Sequence, residues 1–144
     1  MSILTNFIYS TLATIGFSVF LHIPTSSLIP AGLSGGIGWT LFIVLDNASY
    51  NPIFSNFLAS FVVSLFSEIL ARKLKQPATL FVIPGVIPLV PGLGMYNTML
   101  YLVQGNFDLA ISTGANVIFV GAAISLGVLI VTSLSKTIRI NIRK

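Results

Sequence analysis

The chain has 144 residues, 55% hydrophobic and only 7% charged, which excludes a water-soluble globule because soluble domains carry about 25% charged residues. Its net charge of +4 comes from basic residues in two short clusters beside apolar segments, a pattern typical of a membrane face rather than of nucleic-acid binding. With no cysteine and one histidine, the chain cannot form a disulfide or a Cys- or His-rich metal site, and we expect neither metal nor cofactor.

Apolar segments of membrane-spanning length follow one another along the chain. The first ends before a turn at Pro24, the third begins at Pro52 after a polar loop, and the turn at Gly105 separates the last two. We expect the first segment to be retained rather than removed as a signal peptide, because it lacks a basic leading region. The sequence predicts an all-α integral membrane bundle, one transmembrane domain over residues 1–144, with spans at about residues 4–21, 28–45, 53–70, 79–103 and 109–134.

The basic clusters orient these spans. They comprise Arg72, Lys73 and Lys75 after the third span, and Lys136, Arg139, Arg143 and Lys144 after the fifth. Both clusters should lie in the cytoplasm, so two crossings must separate them. We therefore expect Asp46, Asp108 and the N-terminus outside the cell and His22 inside. If the first two segments form one crossing and a re-entrant piece, four spans remain and the N-terminus moves inside.

The fourth span is interrupted by prolines at positions 84, 88 and 91. Each proline removes a backbone donor and clashes with a preceding carbonyl, so an unbroken helix is unfavourable. Free backbone groups at membrane depth are tolerated when they are buried in protein or line a wet cavity, and broken helices of this kind form many transporter substrate sites. A helix that starts near Leu93 or Gly94 could offer its first amides to a carboxylate. The alternative is a kinked span whose carbonyls are bonded by neighbouring side chains.

The fourth span also resembles a family signature. It reads IPGVIPLVPG over residues 83–92 and GMYNTM over residues 94–99, which is similar to the signature of the threonine/serine exporter family. Most of the chain resembles the small membrane-only subunit of the two-component members, which include bacterial succinate exporters. The resemblance implies proton-driven export of small amino acids or dicarboxylates across the bacterial inner membrane, together with a larger partner subunit. The candidate substrate-binding residues are Pro84, Gly85, Pro88, Pro91, Gly92, Tyr96 and Asn97.

Small residues predict close helix packing in this bundle. Gly32 and Gly36 in the second span have small-xxx-small spacing, and Gly121 gives the fifth span a similar smooth patch. These glycines could pack within the chain, which we favour, or against the partner subunit. Asn116, an amide among apolar residues, should seek a partner and either joins helices or faces a cavity.

Glu68 lies near the inner end of the third span, one turn before Arg72. One interpretation is an ion pair between these two residues, which are four positions apart on a helix. The other is a proton-carrying carboxylate, because removal from water favours the neutral form of an acid. We name Glu68 as the proton-coupling candidate.

The leading hypothesis is therefore an exporter subunit for a small carboxylated metabolite, surrounded by membrane lipid and a larger partner. Two rivals remain open, a non-transporting subunit that stabilises the partner and a homo-oligomeric channel. An intramembrane enzyme is disfavoured, because the spans contain no paired acids, no Ser-His set and no metal ligands.

Overall fold

The computed structural model describes residues 2–142, and side chains are described for residues 2–137. Its helices are α1 (Ile3–Phe20), α2 (Thr25–Asn47), α3 (Pro52–Leu74), α4 (Thr79–Val86), a short 3-10 turn (Ile87–Leu89), α5 (Gly92–Val103) and α6 (Phe107–Ile142). Of the second basic cluster, only the side chain of Lys136 is described; that of Arg139, and both Arg143 and Lys144, lie outside the described residues.

Four of these helices, α1, α2, α3 and α6, are long and apolar enough to cross a membrane. The fifth candidate is the pair formed by Thr79–Leu89 and Gly92–Val103, which bends by 52° at the break between them. This geometry confirms the prediction of an all-α membrane bundle with a broken fourth helix. With the bent pair counted as one span, the described residues contain five candidate spans.

The two halves of the broken span pack against different neighbours. α4 lies against α2 and α3, whereas α5 lies against α6. The remaining packing joins α1 to α2, α2 to α3 and α3 to α6. The largest hydrophobic cluster consists of Ala59, Val63, Leu89, Val120 and Ile124, so the end of the 3-10 turn is anchored between α3 and α6. The break therefore occurs where the chain passes from one set of helices to the other.

Close approach between helices depends on small side chains. A methyl group at Gly35 would overlap Thr14 of α1, and one at Gly127 would overlap Ser60 of α3. Gly38 packs against Val63 in the same way. Because lipid is as apolar as a leucine side chain, such close contacts, rather than the hydrophobic effect, hold membrane helices together.

Four helices end on a residue in the left-handed conformation, namely His22, Ser49, Lys75 and Gly105. In each case the following N–H donates to the carbonyl five positions earlier, at 2.9 to 3.2 Å. This is the Schellman arrangement, which satisfies carbonyls that the helix end would otherwise leave free. Glycine adopts this conformation without strain, but the other three residues do not.

Candidate functional site

The break in the fourth span leaves an uncapped helix N-terminus. The residue before α5 is Pro91, which offers no side-chain acceptor to the first turn. The amide of Gly92 donates to Val90 O at 2.7 Å, and that of Met95 donates to Pro91 O at 3.0 Å. Within the described residues, the amides of Leu93 and Gly94 have no partner. The positive end of the α5 dipole therefore carries two free donors.

This N-terminus borders a pocket of about 420 Å³. The pocket is lined by the C-terminal half of α2, the first turn of α3, the break from Pro88 to Gly94, and the first half of α6. Gly94 permits the approach of α5 to α6, because a Cβ there would lie 2.7 Å from Val117 Cγ2. The break therefore forms one wall of the pocket, and α2, α3 and α6 form the others.

The polar side chains in the lining are neutral: Asn56, Thr113 and Asn116. Asn56 is 5% exposed, and its Nδ2 donates to Pro52 O at 2.8 Å, which leaves its Oδ1 as the acceptor it can offer to a bound molecule. With two free amides and no acid in the lining, the pocket suits a carboxylate better than a cation. Among the described residues, no group of three or more His, Asp or Glu could hold a metal ion.

The structure brings some of the sequence-derived candidates together and separates others. Pro88, Pro91 and Gly92 line the pocket. Pro84 and Gly85 are buried one turn earlier, where Gly85 lies against Ser34 and Val63. Their position favours a packing role for these two residues.

Tyr96 and Asn97 also lie outside the pocket lining. α5 turns Gly94 towards Val117 and Thr98 towards Gly114, both on α6. Tyr96 falls between these positions, so it occupies the opposite side of the helix. Its side chain is 64% exposed.

The pocket contains residues that sequence reasoning did not assign to the site. Asn116 was singled out as an amide within an apolar span, and Asn56 carries the same signal in the third span. Trp39 and Thr113 carry no distinctive signal, because a lone aromatic or hydroxyl residue is ordinary in a membrane helix. Only the fold shows that they share a cavity.

Glu68 lies away from the pocket, at the interface of α3 and α6. The hydroxyl of Ser135 donates to Glu68 Oε2 at 2.6 Å, and Arg72 Nη2 donates to Ser135 Oγ at 3.2 Å. Arg72 and Glu68 are therefore joined through a serine of α6 rather than by direct contact. The network connects the two helices at the end of the bundle opposite the pocket.

The packing glycines fall into two groups. Gly32 lies against Ile15, and Gly36 lies against Thr11 and Phe7, so both face α1. A Cβ at Gly121 would meet nothing within 4 Å. The smooth patch at Gly121 therefore has no neighbour within the described part of the chain.

Comparison with known proteins identifies a family and distant relatives. The model of the family described as "Threonine/Serine exporter, ThrE" matches residues 6–134. A protein of Haemophilus influenzae described as uncharacterized is 22% identical over 135 residues, which cover 88% of this chain and 46% of that relative. The chain thus spans about half the length of the relative. No solved structure matches the chain.

Proposed function

The chain belongs to the threonine/serine exporter family, and we propose that it binds the solute in a secondary transporter that exports small carboxylated metabolites. The proposed solutes are threonine, serine and succinate-like dicarboxylates. Family membership and the apolar helices make the chain a multi-pass membrane protein with a transport role. The observation that carries the finer proposal is the pocket of about 420 Å³ at the uncapped N-terminus of α5.

The chemistry of the pocket supports a carboxylate ligand. A helix N-terminus behaves as roughly half a positive charge, and free amides bind anions directly. The amides of Leu93 and Gly94 supply this field, and Asn56 and Asn116 supply neutral hydrogen bonds that recognise the remainder of the solute. Volumes of roughly 300–1,000 Å³ are typical of small-molecule sites, and this pocket falls within that range.

Proton coupling is assigned to Glu68. The hydroxyl of Ser135 on α6 donates a hydrogen bond to Glu68 on α3. Both helices also contribute residues to the lining of the pocket. In this proposal Glu68 carries the coupled proton. Its hydrogen bond to Ser135 places it at the contact between the two helices.

The transporter further requires a larger partner subunit in this proposal. The support is the resemblance of most of the chain to the small membrane-only subunit of two-component members of the family. The exposed apolar faces of α1, α5 and α6 would then contact the partner and membrane lipid. We place the complex in the bacterial inner membrane and assign it no covalent chemistry and no cofactor.

The deciding experiment is accumulation of radiolabelled threonine, serine and succinate in inverted membrane vesicles. Vesicles would contain this chain, a candidate larger subunit of the same family, or both. Gradient-dependent accumulation only with both supports the proposed two-part exporter. Accumulation with this chain alone indicates a homo-oligomeric carrier or channel, and accumulation with the partner alone reduces this chain to a structural subunit.

A further inference from the structure

A second pocket lies beside the first, and the two share Trp39 and Pro88. It has a volume of about 310 Å³ and is otherwise lined by α1, through Asn6, Tyr9, Ser10 and Ala13. Trp39 and Pro88 line the solute pocket as well. These two side chains therefore form a wall between two pockets, each of which is mainly apolar with a few polar groups.

The position of Trp39 in this wall is fixed by its neighbours. Its ring lies against that of Phe42, with centroids 5.3 Å apart, and it packs on the core cluster that contains Val63 and Leu89. The preceding residue, Gly38, fits so closely against Val63 that a Cβ would overlap it. The backbone of α2 is thus held at this point, and the indole has little freedom to withdraw from the pocket.

The indole also keeps an unused hydrogen-bond donor. Tryptophan can place its apolar ring against a core while its N–H stays available for a hydrogen bond. Trp39 is partly buried, it lines both pockets, and its Nε1–H makes no hydrogen bond to the described residues. This arrangement fits a residue that meets a solute rather than one that only fills the core.

We infer that Trp39 is the specificity-determining residue that limits the size of the exported solute; this inference rests on the proposed function of the pocket. The indole borders the solute pocket on the side of α1, so a solute side chain that extends towards α1 meets the ring. Replacement by alanine removes the indole from the wall, leaves Pro88 in place and widens the solute pocket towards the second pocket. Asn6 and Tyr9 line the added space. The aromatic ring of Tyr9 can contact an apolar solute side chain, and the amide of Asn6 can form a hydrogen bond with a polar one.

The transport test compares Trp39→Ala and Trp39→Phe with the unchanged protein in the complete complex. Export of L-threonine and L-phenylalanine is measured, because these solutes share a head group and differ in side-chain size. We expect Trp39→Ala to raise the phenylalanine-to-threonine ratio by about tenfold or more, and Trp39→Phe to change it less. Phe119→Ala, which removes an exposed aromatic side chain outside both pockets, should leave the ratio unchanged.

A binding test separates this inference from the proposed function. The chain has no cysteine, so Thr113→Cys and Asn6→Cys each place one thiol in one pocket. We expect threonine to slow thiol labelling of Thr113→Cys both in the protein that keeps Trp39 and in the protein that also carries Trp39→Ala. Phenylalanine should slow labelling of Asn6→Cys only when Trp39→Ala is also present.

Each outcome has a distinct meaning. If threonine, serine and succinate all leave the labelling of Thr113→Cys unchanged, the pocket is not the solute site, and both the proposed function and the inference fail. If threonine protects Thr113→Cys but Trp39→Ala alters neither the export ratio nor the labelling of Asn6→Cys, only the role of Trp39 is overturned. Trp39→Leu replaces the alanine variant if that variant is poorly inserted, and the same outcomes apply to it.

Discussion

Gly92→Leu isolates the contribution of the pocket to export. Gly92 is the first residue of α5 and lines the pocket, and a Cβ at this position would meet nothing within 4 Å. The leucine side chain therefore adds four carbon atoms without overlapping a neighbour at its Cβ, at the border of the pocket of about 420 Å³. The backbone at Gly92 is already helical and has no positive φ, so replacing glycine should not destabilise the helix.

We expect this variant to insert normally and to export threonine or succinate at least about tenfold more slowly, equivalent to about 1.4 kcal/mol. The measurement is the initial rate of gradient-driven uptake into inverted vesicles, normalised to the amount of protein in the membrane. Gly121→Leu is the matched control, because that glycine also faces open space within the chain and lies outside the pocket. A wild-type rate for Gly92→Leu at normal abundance would refute the site, and an equal loss in both variants would show that the effect does not come from the pocket.

Three further substitutions test coupling, packing and a helix end. Glu68→Gln keeps a hydrogen bond to Ser135 but cannot take up a proton, so we expect solute exchange to persist while gradient-driven accumulation is lost; unchanged accumulation would remove Glu68 from the mechanism. Gly35→Ala forces a methyl group onto α1 and should cost about 1–3 kcal/mol, seen as a lower melting temperature in detergent, whereas Gly121→Ala should be neutral. Ser49→Gly relieves a left-handed residue with φ 62° and should stabilise the protein by about 1 kcal/mol, whereas Ser49→Ala should give no gain.

Most of the fold could be predicted from the sequence. The apolar segments and the prolines predicted an all-α membrane bundle with a broken fourth helix, because hydropathy and backbone chemistry act locally. The last helix runs to Ile142 rather than ending at about residue 134. The family resemblance carried by residues 83–99 is confirmed by the match over residues 6–134. Local signals could not reveal that α4 and α5 pack against different helices, since that depends on contacts between distant segments.

The site could be predicted only in part, for the same reason. The sequence located the break, and Pro88, Pro91 and Gly92 line the pocket. Tyr96 lies only a few positions farther along, yet the packing of Gly94 on α6 turns it away. Asn56 and Trp39 also line the pocket, and they belong to helices that carry no part of the family signature. The lining of a pocket between helices depends on tertiary packing, whereas the family signature marks only the interrupted segment of the fourth span.

The break between α4 and α5 produces both features of the pocket, the free amides and the space beside them. The prolines free the amides at the start of α5, which creates the anion-binding end of a helix. The same 52° bend directs α5 towards α6 and away from α2 and α3, which opens space beside those amides. A kink that kept α4 and α5 on the same neighbours would leave the amides against packed side chains. The free donors and the cavity therefore arise from the same feature, and a substitution that restored a continuous helix would remove both at once.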